Sequence, residues 1–326
     1  GADVATTGVQ DITAATIRTN ATHTTSNSNI ELRGKVLLQG NTTLTTGSGN
    51  VTFYNTVDSD AAAVKSLTVN SSGTTTFTAE VGGTKPLAAL TTDAGGTTRI
   101  EKGVVTTTGA QTYGDAVLVQ LDTTFTGANV HFNSTLDSET TEVAVTVNDS
   151  ANTLFGGDVG VSKALTSLTT DAPGTTTIED VTIRTTGTQT YNDPVILSGG
   201  GTSVLDSTNN GTVPAGADVT FADTVNGTTA GAENLTITAG TAGKVSFGGA
   251  VGATTRLGAV QISGADSVTA ASTVTVQSLA ATSIQDGVIV AGTVNSTGEV
   301  SISAGGSIDL NGPSNLVGAA TLAAGG

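Results

Sequence analysis

Fifteen of the 23 residues from Thr91 to Tyr113 recur in register between Thr169 and Tyr191, an offset of 78 positions. Thr91-Thr92-Asp93-Ala94 returns as Thr169-Thr170-Asp171-Ala172, Thr107-Thr108-Gly109 as Thr185-Thr186-Gly187, and Gln111-Thr112-Tyr113 as Gln189-Thr190-Tyr191. Phe77, Lys85, Leu87 and Leu90 find Phe155, Lys163, Leu165 and Leu168 at the same distance. A fixed period of this kind marks a chain built by repeating one supersecondary unit, and it restricts the fold to repeat architectures. Two further patterns extend it. Val51-Thr52-Phe53 is echoed by Val130-His131-Phe132 and Val219-Thr220-Phe221, and the stretch from Phe77 to Gly82 by those from Phe155 to Gly160 and from Phe247 to Gly252. The last spacing is 92, 14 more than the other, which places an insertion of that length in the third copy, within 198–216. The chain therefore reads as repeat units 1–82, 83–160 and 161–252, followed by a divergent β-repeat tail, 253–326.

Within each unit the apolar residues form short runs such as Val104-Val105-Thr106, Ala116-Val117-Leu118-Val119 and Leu235-Thr236-Ile237. Val and Thr suit a pleated, half-buried surface, and Gly, Asn, Asp and Ser interrupt the runs every few residues. Only Asp60 to Ser66 tolerates a helix, and it is too short to form one alone. The fold class is all-β. Two architectures accommodate strands this short: a parallel β-helix or β-solenoid whose coils stack into one core, and tandem β-sandwich domains. With 10 aromatics and 5 prolines in 326 residues, there is little bulk to fill sandwich cores and little proline to stiffen linkers. The tail also repeats short strands at near-coil intervals. The solenoid is the favoured reading.

Net charge is −16, and the 11 Lys and Arg are scattered singly. Nucleic-acid binding rests on clustered basic residues, so this composition argues against a nucleic-acid partner. No run reaches the roughly 18 apolar residues of a membrane helix, so membrane insertion is not expected either. The absence of Cys excludes disulfides, thiol catalysis and thiolate metal sites. The absence of Met reads as a processed or excised segment.

The stretch Val300-Ser301-Ile302-Ser303-Ala304-Gly305-Gly306-Ser307-Ile308-Asp309-Leu310-Asn311-Gly312 resembles the repeats of filamentous-haemagglutinin-type exoproteins. The Thr-Thr-Asp-Ala-Gly-Gly and Val-Thr-Phe units resemble those of very long bacterial β-strand-repeat surface proteins. The resemblance implies a right-handed parallel β-helix, exported to the cell surface and used in adhesion or an extracellular matrix. It implies a structural protein, an adhesin stalk or a self-associating filament subunit. Separately, a solenoid leaves open β edges at its ends, so the expected partners are further copies of itself, joined head to tail by strand pairing at the termini, with host or matrix glycans as a further expectation.

Sites for chemistry are few. Asp58-Ser59-Asp60 offers oxygens that suit Ca²⁺, but without the Gly-rich nonapeptide of Ca²⁺-binding β-rolls it reads more simply as a solvated turn. His23 and His131 lie far apart, and His131 replaces the Thr of its sister copies at an outward strand position. Glu101 and Glu179 recur in equivalent contexts, which suits a turn better than an active site. With no convergent acid–base cluster, nucleophile elbow or phosphate loop, the expectation is a non-enzyme without a cofactor. Tyr113 and Tyr191 read as rings packed over a coil corner with locally bonded hydroxyls, the alternative being exposed contacts for a glycan or neighbouring protomer. Phe77, Phe155, Phe247, Leu90 and Leu168 are the expected core. Thr74–Thr76, Thr106–Thr108 and Thr175–Thr177 could line a face that binds ice or glycan, although their spacing is unequal. Ten Asn, at 20, 41, 50, 70, 133, 148, 210, 226, 234 and 295, stand in Asn-x-Ser/Thr sequons.

Overall fold

The computed structural model describes residues 2–60 and 63–325. Among them there are strands and turns and no helix. Of the helix-tolerant stretch Asp60–Ser66, residues 61 and 62 lie outside the described residues, and 63–66 are not helical. The chain forms two compact units, Gly1–Gly157 and Asp158–Gly326. Each is a parallel β-solenoid, so the sandwich alternative is set aside.

In the first unit a coil has three sides. Leu90–Thr92, Thr97–Ile100 and Val104–Thr106 make one coil, and Gln111–Tyr113, Ala116–Val119 and Thr123–Gly127 make the next. Each side pairs in parallel with the same side of the next coil, Leu90 facing Gln111, Thr97 facing Ala116 and Val104 facing Thr124. Parallel neighbours need a long crossover, and here the other two sides of the coil supply it. Side chains alternate along a strand, so Val51–Phe53 and Val130–Phe132 read buried, half-exposed, buried, and Val104–Thr106 the reverse. The repeat boundary at 82/83 is therefore a turn between stacked coils: Thr74–Phe77 pairs with both Val51–Phe53 and Thr97–Ile100. In the second unit the stacks run from Ser167–Thr170 to Ile308–Leu310 and from Thr182–Arg184 to Ser314–Leu316.

Small aliphatic side chains fill most of the interior, and the aromatics gather into columns. Phe53 and Phe77 stack at 4.9 Å between ring centroids. Tyr113, Phe132 and Phe155 stack at 5.2 and 5.8 Å, and Tyr191, Phe221 and Phe247 at 5.2 and 5.1 Å. Coils in a β-stack rise by about 4.7–4.9 Å, close to the offset-stacking distance of two rings. A ring at the same register on successive coils therefore stacks without distortion. Phe77, Phe155, Leu90 and Leu168 are fully buried and Phe247 nearly so.

The glycine that ends the Phe-to-Gly pattern has a definite task. Gly82, Gly160 and Gly252 have φ of +67°, +67° and +66°. A Cβ on them would stand 2.1, 2.1 and 2.0 Å from the carbonyl oxygens of Thr106, Arg184 and Thr275 on the next coil. Only glycine permits both the left-handed turn and this approach. Most of the insertion becomes one excursion: twelve residues separate the strands Thr202–Asp206 and Val219–Phe221, where two separate Thr123–Gly127 from Val130–Phe132 in the preceding copy.

Candidate functional site

Parallel register turns sequence positions into columns, and the outward columns form the surface available to a ligand. Thr22, Thr43, Thr68, Thr91 and Thr112 stand in one outward column of the first unit. Thr169, Thr190, Thr220, Ser246 and Thr269 form another in the second. The threonine runs divide between the two faces, with Thr74 and Thr76, Thr106 and Thr108, and Thr175 and Thr177 outward. Thr75, Thr107 and Thr176, the centres of those runs, are buried, because neighbours along a strand point to opposite faces. Regular rows run across coils instead. Two residues along, Thr24 and Thr45 give way to Asn70, so this row is flanked by mixed residues.

Tyr113 and Tyr191 are not surface contacts; both are fully buried. Each hydroxyl donates to the side-chain oxygen of the Gln two residues before it, Gln111 at 2.9 Å and Gln189 at 3.1 Å. Burial pushes the tyrosine hydroxyls up, well above their ordinary pKa. The Gln amides, which sequence reasoning passed over, are the centre of this arrangement. Gln111 Nε2 donates to the backbone oxygens of Thr126 (2.8 Å) and Val105 (3.2 Å), and Gln189 Nε2 to that of Ile183 (3.1 Å). Gln10 plays the same part in the first coils, with Nε2 on Thr24 O at 2.8 Å. There His23 takes the tyrosine's place, held between Gln10 Oε1 at 3.2 Å and Thr19 Oγ1 at 3.0 Å, with its pKa lowered by burial against the opposing pull of Asp3. The signal was the shared Thr-Thr-Gly-x-Gln at 6–10, 107–111 and 185–189. His131 lies outward beside Thr112, as its sister residues do.

Asp58 and Asp60 are engaged separately. Asp58 is 1% exposed, contrary to a solvated turn. Its Oδ1 accepts the N–H groups of Thr84 (2.9 Å) and Lys85 (3.0 Å), which clasps the loop after Gly82 over the preceding coil. Lys35 Nζ stands 3.8 Å from its other oxygen. Asn226 does the same work in the third copy, accepting from Thr254 N at 2.9 Å, so the position calls for an acceptor rather than a charge. Asp60 instead accepts from Arg18 (3.2 Å) and Gln39 (3.0 Å). Among the described residues no group of three or more His, Cys, Asp or Glu is placed to hold a metal. Glu101 pairs with Arg99 at 3.1 Å, and Glu179 is exposed at a strand end. Asn226 is also the one buried sequon asparagine.

Two further carboxyls are buried in equivalent corners. Asp115 accepts from Gly96 N (2.7 Å) and Thr98 Oγ1 (3.2 Å), and Asp193 from Thr176 Oγ1 (2.7 Å) and Thr170 Oγ1 (3.0 Å). Desolvation is the largest influence on both and raises their pKa; the hydrogen bonds pull partly back. The folded chain thus keeps protons on these groups to a higher pH than the unfolded chain. Their contribution to stability therefore falls as pH rises from the unfolded value near 4 through the raised folded value. In the double variant Asp115→Asn/Asp193→Asn, the urea midpoint measured from pH 4 to 6 is expected to decline less steeply than in the parent; equal slopes would refute this assignment.

A concave polar groove lies in the second unit. Thr182, Val204 and Thr236 form one outward column, and Arg184, Asp206 and Thr238 the next. The insertion turns up beside them and bounds an open groove of about 430 Å³, lined by Thr182, Val204, Arg184, Asp206 and Thr238 of these columns and by Thr208, Asn210 and Gly211 of the insertion. Asp206 organises this wall. Its Oδ1 accepts Thr208 N (2.8 Å) and Thr208 Oγ1 (2.6 Å), and its Oδ2 accepts Asn210 N (2.7 Å). Arg184 Nε lies 3.4 Å from Asp206 Oδ2 but is buried without a hydrogen-bond partner. The groove requires residues about 20 to 50 positions apart and was not legible in the sequence. No protein family, characterised protein or solved structure matches the chain.

Proposed function

We propose that the chain is a structural repeat segment of an extracellular surface or matrix protein, serving as a stalk or filament subunit. It associates with a second copy of itself by strand pairing at its end coils. The observation that supports this reading is the parallel pairing of successive coils within each unit, as in Leu90 to Gln111 and Val288 to Ile308. Among the described residues Ile308–Leu310, Ser314–Leu316 and Ala320–Ala324 pair on one side only. Unpaired strand edges are templates for another chain. The acidic residues are dispersed, and dispersed like charge favours solubility over lateral clumping. The resemblance of 300–312 to exoprotein repeats points the same way.

The test is length growth of the purified segment, followed by light scattering and electron microscopy. Val300 N donates to Ala319 O and Gly325 N to Ala304 O. In a parallel ladder successive N–H groups alternate sides, which aims those of Ala320 and Ala324 away from the preceding coil. Ala320→Pro/Ala324→Pro therefore removes outward donors and leaves inward ones. The expected result is concentration-dependent filaments from the parent that resist salt, and monomers with an unchanged strand spectrum from the variant. Removing the last coil is a weaker test, because it exposes another edge of the same kind. A parent that stays monomeric at every concentration, or a variant that still elongates, overturns the self-association.

A further inference from the structure

The groove in the second unit differs from the rest of the surface in how it is built. Its floor is two columns on three successive strands, and its wall is present in only one copy of the repeat. The wall is fixed from inside. Besides the three hydrogen bonds to Asp206, Gly211 N donates to Thr208 Oγ1 at 3.0 Å, Val213 N to Thr208 O at 2.8 Å and Asn209 N to Thr185 O at 3.1 Å. Asn209, Asn210 and Gly211 are consecutive left-handed residues, with φ of 49°, 55° and 79°. A loop held in this way gives up little entropy on binding.

The wall's internal bonds consume acceptors and leave donors. Both oxygens of Asp206 are occupied. Arg184 Nη1 makes a long bond to Val161 O, 3.4 Å, and its Nε is buried 3.4 Å from Asp206 Oδ2, so the guanidinium lines the groove as one half of an ion pair. Among the described residues the Asn210 amide and the Thr182 hydroxyl make no hydrogen bonds, and Val204 lies between Thr182 and Thr236 as an apolar patch on the floor. The site thus offers a planar cation, an amide and hydroxyls around a small apolar surface. That combination suits a sugar ring, which presents hydroxyl acceptors at its rim and C–H groups on its face. The volume of about 430 Å³ falls within the usual range for small-molecule pockets, about 300–1,000 Å³. Charge decides between neutral and acidic sugars. Arg184 and Asp206 cancel within the lining, and the chain carries −16 overall, which repels a polyanion over a Debye length of about 10 Å at 0.1 M salt.

We propose that this groove is a binding subsite for a neutral, hydroxyl-rich glycan chain. This goes beyond the structural role proposed above and does not depend on self-association. The full chain is titrated by calorimetry and by saturation-transfer NMR with cello-, malto-, laminari- and chitohexaose, and with an oligogalacturonate of equal length. At least one neutral hexasaccharide is expected to bind with Kd of about 1 mM or tighter, and the oligogalacturonate to bind at least tenfold more weakly. Asn210→Gly keeps the left-handed backbone and removes the amide, and Thr182→Val keeps the shape and removes the hydroxyl. Each is expected to weaken binding at least fivefold with the melting temperature unchanged. The proposal is overturned if no neutral hexasaccharide binds, if the oligogalacturonate binds best, or if both variants bind as the parent does.

Discussion

Phe221→Ala is expected to lower the stability of the chain by about 3–5 kcal/mol, the range for truncating a buried aromatic ring. Phe221 is fully buried at the centre of a three-ring column, with Tyr191 5.2 Å away on one side and Phe247 5.1 Å away on the other. Its removal opens a cavity and breaks two stacking contacts at once. The neighbouring coils are tied to their own register, Val219 to Val245 and Gln189 to Val219, so they cannot close the gap by sliding. Tyr54→Ala is the matched control. Tyr54 is 43% exposed and lies against Arg33, whose guanidinium carbon is 4.3 Å from the ring centroid; its loss is expected to cost under about 1 kcal/mol. Urea unfolding followed by far-ultraviolet dichroism measures both. Equal shifts for the two variants would show that the columns add nothing beyond exposed packing.

Gly252→Ala is expected to cost about 3 kcal/mol or more although it adds a single methyl group. Two effects combine. A non-glycine residue in the left-handed region costs about 1–2 kcal/mol. The new Cβ would also stand 2.0 Å from Thr275 O, an overlap relieved only by parting adjacent coils. Parting them strains the bonds from Gly252 N to Val225 O (2.7 Å) and from Thr275 N to Val251 O (2.8 Å). Gly264→Ala is the control, since nothing lies within 4 Å of a Cβ there and its φ is not left-handed. It is expected to be neutral or slightly stabilising, as glycine replacements at compatible sites are. If Gly252→Ala unfolds at the parent's midpoint, the turn is adaptable and recurrence of glycine in three copies has another cause.

These residues also show where sequence reasoning reached and where it stopped. Phe77, Phe155, Leu90 and Leu168 could be placed inward because period-two alternation and an internal repeat both act locally. The glycines ending the Phe-to-Gly pattern were visible as a recurrence, but the reason for them was not, since the carbonyl that excludes a side chain is 23 or 24 residues away. Asp58 read as a solvated turn because acidic residues flanked by Ser look exposed. Its burial depends on N–H groups 26 and 27 residues later. Tyr113 and Tyr191 are legible in the sequence as packed rings, but not the groups that bond their hydroxyls, because a hydroxyl can be satisfied by water or by protein. The buried Gln111 and Gln189 amides supply those partners.

What the sequence determined by itself was the class and the mode of building. Short Val- and Thr-rich runs, punctuated by glycine and repeated at a fixed offset, dictate strands in a repeat architecture; the parallel pairing between coils decides for the solenoid over tandem sandwiches. Tertiary structure decided register. Coil length varies, with Gln111 to Val130 spanning 19 residues and Thr42 to Leu67 spanning 25. Which residues share a column is therefore set by how much chain each turn absorbs, through backbone hydrogen bonds between coils. The threonine rows, the ring stacks and the Arg184–Asp206 groove all follow from those absorbed lengths. A one-residue slip would send each side chain to the opposite face, and no local pattern of residues encodes the count.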